Sequence, residues 1–270
     1  MTERVRLNTG REIPRLGLGV FQAARAETEA AVREALRVGY RLIDTARIYG
    51  NEVDVGAAIR ASGLDRSEVF VTTKLWNDDQ GFDGALHAFD ASLKRLGLET
   101  VDLYLIHWPV PGKRLDSWRA LERLHADGRA LAIGVSNYMT RHLEELFASA
   151  TVVPAVNQIE LSPFLQQRDP RATCARHGIV VEAYSPLTRG QRLDHPVVRR
   201  VADRAGRTPA QVLLRWAVQQ DVVVLPKSTR PARIAENAAI FDFELPADAM
   251  AELDALEEGL VTGWDPRRQP

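Results

Sequence analysis

Cysteine is nearly missing from this chain. Cys174 is the one cysteine in 270 residues, so no intramolecular disulfide can form and a reducing compartment is expected. Its surroundings, Ala172-Thr173-Cys174-Ala175-Arg176-His177, read as helix and predict a packed, inert thiol. Long apolar runs are also lacking. No stretch of 18 apolar residues occurs and the start has no apolar signal core, so no membrane span or export signal is expected and a cytoplasmic protein is. Neither charge is in surplus: 35 Lys and Arg face 36 Asp and Glu. That balance removes any general electrostatic reason to bind nucleic acid or an anionic membrane. The six histidines show no metal-ligand spacing, and His-Glu-x-x-His is absent, so no metal is expected. A P-loop is absent too. The nearest match to the dinucleotide-binding glycine fingerprint, Gly17-Leu18-Gly19-Val20-Phe21-Gln22, lacks its third glycine, so its two glycines are read as packing or turn residues. No coiled coil or assembly segment is visible, and a monomer is expected.

What the chain does contain is a repeated unit. Val5-Arg6-Leu7 and Glu12-Ile13-Pro14 flank Asn8-Thr9-Gly10-Arg11, a hairpin signal. Strand patterns follow at 15–20, 41–44, 69–74, 101–107, 130–136, 155–158, 179–184 and 222–227. Several are almost wholly apolar, as parallel strands covered on both faces should be. Helical patterns fill the gaps near 26–38, 54–61, 84–96, 117–126, 140–148, 169–177, 209–219 and 231–240. From the second strand on, the ends fall 30, 33, 29, 22, 26 and 43 residues apart, close to one βα unit each. The longest gap holds extra material at 187–207, read as a loop plus one additional helix. The predicted fold class is α/β: a (β/α)8 TIM barrel with an N-terminal β-hairpin and a short C-terminal tail, one domain over 1–270. A doubly wound sheet is the main rival.

Four polar residues fall at or just past predicted strand ends: Asp44, Tyr49, Lys74 and His107. Barrels gather their chemistry at that end. A phenol titrates near ~10 in water and is a poor acid at neutral pH. A nearby ammonium favours its phenolate and lowers that value. An aspartate can hold the lysine charged and aimed, and a histidine can bind the oxygen that receives the proton. Each alone has an ordinary explanation: a cap, a surface aromatic, a strand-end lysine, a core histidine. Phe21, Trp76 and Trp108 follow strand ends and could wall a substrate site. Trp118 and Trp216 lie inside helix patterns and are read as packing. Asn51 and Glu52 are read as beginning a helix.

A phosphate site is predicted late in the chain. The run 222–230 leads from a strand into a helix starting near Pro231. Helix N-termini attract phosphate through free N–H groups and the dipole. Lys227, Arg230 and Arg233 add charge, and Ser228 and Thr229 add hydroxyl donors. A barrel can therefore hold a nucleotide without the glycine fingerprint.

Over nearly its whole length the chain resembles an aldo-keto reductase. The resemblance rests on Asp44-Thr45-Ala46-x-x-Tyr49-Gly50-Asn51-Glu52, Thr73-Lys74-Leu75-Trp76 and Ile106-His107-Trp108-Pro109. It continues through Gly134-Val135-Ser136-Asn137-Tyr138, Asn157-Gln158-Ile159-Glu160, Ala183-Tyr184-Ser185-Pro186-Leu187, and Pro226-Lys227-Ser228 with Glu236-Asn237. The short loops look most like bacterial members that include 2,5-diketo-D-gluconate reductases. The resemblance implies NADPH-dependent reduction of small aldehydes, dicarbonyls or keto sugars by direct hydride transfer, with Tyr49 as general acid, tuned by Lys74 and Asp44, and His107 orienting the carbonyl. It implies that Ser136, Asn137 and Gln158 hold the nicotinamide carboxamide and that Tyr184 stacks on its ring. Ser185 and Leu187 would line the pyrophosphate path. Lys227, Ser228, Thr229 and Arg233 match positions around the 2′-phosphate, and Glu236 and Asn237 match adenine-binding positions. Some bacterial members carry Trp in place of Tyr184. Trp264, in a short tail, departs from the pattern at a loop that shapes substrate choice in the family. The alternative is a nucleotide-binding regulatory protein on the same barrel with little turnover.

Overall fold

The computed structural model describes residues 3–269. The chain opens with an antiparallel hairpin, β1 (Arg4–Arg6) and β2 (Glu12–Pro14), in the register Arg4↔Pro14 and Arg6↔Glu12. Parallel strands then alternate with helices. The first units are β3 (Leu18–Gly19) with α1 (Arg25–Arg37), β4 (Leu42–Asp44) with α2 (Glu52–Ala61), and β5 (Phe70–Leu75) with α3 (Phe82–Leu96). Next come β6 (Leu103–Ile106) with α4 (Arg114–Ala126), β7 (Ile133–Ser136) with α5 (Thr140–Phe147), and β8 (Val156–Glu160) with α6 (Arg168–Arg176). β9 (Val180–Tyr184) leads to two helices, α7 (Pro196–Ala205) and α8 (Pro209–Gln219). β10 (Val223–Leu225) leads to α9 (Pro231–Ala238) and α10 (Ala247–Asp254).

The strands β3 to β10 pair in sequence order into one eight-stranded parallel sheet. Bridges Leu16↔Val224 and Gly19↔Lys227 bring its two edges together. Gly17 N donates to Val224 O at 2.9 Å and Gly19 N to Pro226 O at 3.1 Å across that seam. The fold is the predicted (β/α)8 barrel. The strand expected over 15–20 is ladder-paired with β4 only at Leu18–Gly19, and the rest serves the seam with β10. The expected extra helix within 187–207 is α7. It starts at Pro196 in the first helical position, where a missing N–H has no cost. α10 was not expected: it buries only Ala249 and Leu253, too short an apolar stripe to register as a period.

Alternation along the strands creates two apolar layers. Leu42, Phe70, Leu103, Leu105, Val156, Val223 and Leu225 fill the barrel interior, joined by Leu7 and Ile13 of the hairpin. Ile43, Val71, Tyr104, Ile133, Val181 and Val224 face outward into the helix layer, with Trp118 and Trp216 buried there as packing residues. The same period assigns the polar residues. Asp44 lies two past Leu42, Lys74 four past Phe70, Gln158 two past Val156, and Glu182 two past Val180, so all share the inward face.

Gly17 shows why the glycine pair belongs to the fold. A Cβ there would sit 2.5 Å from Leu42 Cγ and 2.7 Å from Leu225 Cδ2, inside the barrel. Gly17→Ala is expected to cost about 1–3 kcal/mol through overpacking, measured by denaturant unfolding; an unchanged midpoint would contradict the tight seam.

Candidate active site

Lys74 organises the polar layer at the strands' C-terminal ends. Its side chain is 0% exposed, and its three N–H donors meet Asp44 Oδ1 at 2.6 Å, the carbonyl oxygen of Thr45 at 3.0 Å and the Tyr49 hydroxyl at 3.4 Å. Burial works against the ammonium, but Asp44, Tyr49 and Glu182 outweigh it and raise the lysine above its ordinary value, so it stays charged. Tyr49 is delivered by a 3-10 turn, Arg47–Tyr49, that ends on Gly50 with a left-handed φ of 69°. That turn folds the phenol back over β4 and β5. The side chain is half-buried.

Tyr49 departs from the sequence expectation in one respect. Lys74 does favour the phenolate, but burial of the phenol is the larger influence and Asp44 adds to it, so the pKa lies above 10 rather than below. Tyr49 is therefore a protonated phenol at neutral pH. Part of the side chain stays in solvent, which softens the burial penalty. His107 follows β6. Burial first, and then the Lys74 charge, hold its pKa well below the usual histidine range, so the ring is neutral. Its Nδ1 is buried with no partner among the described residues.

Rings extend the site toward solvent. Phe21 lies 5.0 Å from Tyr49, His107 lies 5.7 Å from Tyr49, and Trp76 lies 5.3 Å from His107, centroid to centroid. Trp264 joins this rim, 6.3 Å from Trp76 and 5.6 Å from Trp108, while remaining 65% exposed. The tail is pinned beside it: Glu160 Oε1 accepts from Thr262 N at 2.9 Å and from the Thr262 hydroxyl. The sequence marked Trp264 as a departure, but distance along the chain hid its place beside Trp76 and Trp108.

A second polar group lies across the mouth. Ser136 Oγ donates to Gln158 O at 2.9 Å. Asn137 has φ 65° and donates through Nδ2 to His107 O at 3.0 Å and to Ser136 Oγ at 3.1 Å. The Tyr184 hydroxyl donates to Asn137 Oδ1 at 2.8 Å, which fixes the half-buried ring. Gln158 Nε2 donates to Asp44 Oδ2 at 2.8 Å and to Glu182 Oε2 at 2.9 Å, leaving Oε1 as its remaining acceptor. Beyond Tyr184, Ser185, Thr188 and Arg189 all hold left-handed φ values without being glycine, and Leu187 packs partly buried between them. Such backbone conformations are costly and tend to persist at functional sites.

The predicted phosphate segment lies across the seam, at the start of α9. Lys227 and Arg233 are exposed and, like Arg230, make no ion pair among the described residues. Ser228 Oγ accepts from Arg230 N at 3.1 Å, Thr229 is half-buried, Glu236 is half-buried, and Asn237 is buried. Cys174 is buried, and burial pushes its thiol up to about 11, so it is inert. Among the described residues no three His, Cys, Asp or Glu side chains converge as metal ligands, and no helix is long and apolar enough to cross a membrane.

Known proteins resemble this chain in sequence and fold. A family model described as "Aldo/keto reductase family" matches residues 15–258. A glyoxal reductase from Bacillus subtilis is 48% identical over 267 residues, covering 98% of this chain and 97% of its own. A morphine 6-dehydrogenase from Pseudomonas putida is 50% identical over 278 residues, covering 97% of this chain and 94% of its own. Among solved structures, an aldo/keto reductase from Brucella melitensis superposes with a TM-score of 0.93 at 47% identity, covering 95% of this chain and 100% of its own. A variant of Gox0644 solved in complex with NADPH has a TM-score of 0.95 at 42% identity, covering 99% of this chain and 98% of its own. On the family model and on this identity over almost its full length, the chain belongs to the aldo/keto reductase family.

Proposed function

We propose that the chain reduces small aldehydes, dicarbonyls or keto sugars to alcohols with NADPH, and that Tyr49 is the proton donor. The observation that carries this reading is Lys74: a buried ammonium held by Asp44 and touching the Tyr49 hydroxyl beneath an aromatic mouth. Tyr49, protonated at neutral pH, gives its proton to the carbonyl oxygen. The phenolate left behind lies 3.4 Å from Lys74 Nζ and is stabilised there. Asp44 keeps the ammonium charged and aimed. Neutral His107 offers one N–H to the same oxygen and aligns it with Tyr49. Phe21, Trp76 and Trp108 wall the substrate from water.

The residues present fit NADPH. Gln158 retains an acceptor, Tyr184 presents a fixed ring, and Lys227 and Arg233 are cations without carboxylate partners among the described residues, beside a helix N-terminus. When bound, NADPH supplies the hydride to the carbonyl carbon. Ser136, Asn137 and Gln158 would hold the carboxamide, Tyr184 the ring face, and Ser185 and Leu187 the pyrophosphate. Lys227, Ser228, Thr229 and Arg233 would hold the 2′-phosphate, and Glu236 and Asn237 the adenine. The Gox0644 complex with NADPH supports this choice. The relative named glyoxal reductase favours a dicarbonyl, and the short loops favour the branch that includes 2,5-diketo-D-gluconate reductases. In this reading 1–270 works as one domain and as a cytoplasmic monomer.

The cofactor assignment is tested by removing Lys227 and Arg233 together as alanines. One charge-assisted hydrogen bond is worth about 1.5–3 kcal/mol. The NADPH Kd is expected to rise roughly 100-fold or more, and the NADH Kd to stay nearly unmoved. Equal losses for both nucleotides would remove the 2′-phosphate assignment.

A further inference from the structure

Glu182 is a carboxyl group that the proposed chemistry leaves unused. It sits on β9 with 0% exposure, on the same inward face as Tyr184. Its register neighbours are Gln158 on β8 and apolar Val223 on β10. Oε2 accepts from Gln158 Nε2 at 2.9 Å, and Oε1 is buried with no partner among the described residues. The charged groups acting on it are Asp44 from β4 and Lys74 from β5. The other N–H of the Gln158 amide goes to Asp44, so this amide joins two carboxyl groups, and the nearby ammonium is paired with Asp44.

Two carboxylates and one ammonium cannot all be charged in a dry interior without a net unpaired charge. Asp44 receives Lys74 Nζ and Gln158 Nε2, while Glu182 receives Gln158 alone. The proton therefore belongs on Glu182.

We propose that Glu182 is a positioning residue for the reductase reaction: in its neutral form it clamps the Gln158 amide against Asp44 and leaves Lys74–Asp44 as the lone ion pair under Tyr49, and its ionisation weakens the proton transfer. Because both N–H groups of Gln158 face carboxyl oxygens, Oε1 is fixed as the acceptor. A second carboxylate charge would compete with Tyr49 for the Lys74 ammonium and leave the phenolate less stabilised. Burial, and then the Asp44 charge, push the Glu182 carboxyl up to about 8, against weaker opposing pulls from Gln158 and Lys74. The switch thus falls on the alkaline side of neutrality.

The proposal rests on the reductase reading, so the test has one arm that does not need turnover. Glu182→Gln mimics the neutral acid and keeps the acceptor for Gln158. In the first arm, thermal unfolding of wild type and variant without nucleotide is followed from pH 5 to 9. A carboxyl whose folded pKa is raised from 4.5 to about 8 makes the folded state lose stability as pH rises through that window. The Tm gap between Glu182→Gln and wild type is expected to widen from pH 5 to 8 and then level off. A gap constant with pH overturns the proton on Glu182. In the second arm, kcat/KM for NADPH-dependent reduction of methylglyoxal is profiled against pH. The variant-to-wild-type ratio at pH 9 is expected to exceed that at pH 7 by roughly tenfold, the size of one pKa unit. Superimposable profiles overturn the link to Tyr49. Wild type that consumes no NADPH with any carbonyl fails the reductase reading, and the Tm arm still decides whether Glu182 holds the proton.

Discussion

Tyr49→Phe is expected to lose carbonyl reduction by about 10²–10⁴-fold in kcat, the range of a positioned general acid, while its NADPH Kd stays close to wild type. The substitution removes one oxygen. The ring contacts with Phe21 and His107, at 5.0 and 5.7 Å, remain, so the wall of the site is kept. What goes is the hydroxyl that Lys74 Nζ touches at 3.4 Å. Of the groups beside it, His107 is neutral and the Lys74 ammonium is engaged by Asp44 and Thr45. A loss confined to KM, with kcat unchanged, would make Tyr49 a binding residue rather than the acid. Stopped-flow oxidation of NADPH, with NADPH binding followed by fluorescence, separates the two.

Lys74→Met carries the largest expected cost to the fold. Methionine replaces the stem of the lysine but leaves Asp44, 4% exposed, without its counter-ion. Breaking a buried pair by removing one partner costs about 3–5 kcal/mol, because the remaining charge stays in a medium that solvates it poorly. Denaturant unfolding is expected to show that loss. Activity is expected to fall with it, since the phenolate of Tyr49 loses its stabilising charge. The double variant Lys74→Met with Asp44→Asn distinguishes the two effects. Replacing both charges removes the stranded carboxylate, so most of the stability should return while activity does not. Recovery of reduction in the double variant would mean that the pair only holds the fold.

Much of this site is legible in the sequence. Strand ends spaced about one βα unit apart announced a barrel, and Asp44, Tyr49, Lys74 and His107 all fell at those ends. The structure brings the four together because period-two alternation turns residues 44 and 74 inward beside Leu42 and Phe70. Direction of acidity was harder. Adjacency to an ammonium argues for a more acidic phenol, but burial is set by the whole barrel and outweighs it. The resemblance implies that Ser136 and Asn137 face a cofactor; in the structure their side chains bond to each other, to backbone carbonyls and to Tyr184. Trp264 depends on contacts between the tail and β5–β6 loops that span most of the chain, which no local pattern reports. Glu182 left a visible signal, a charged residue inside the apolar run 179–184. Its meaning required knowing that Gln158 and Asp44 share its face.

The most direct measurement is NADPH oxidation by the wild-type protein over a panel of aldehydes, α-dicarbonyls and keto sugars, with NADH in parallel and the product alcohol identified. Stoichiometric alcohol and NADPH consumption is expected with at least one of these classes, with slower turnover on NADH. Tight NADPH binding with no oxidation across the whole panel would contradict it, and would leave a nucleotide-binding barrel that does not turn over.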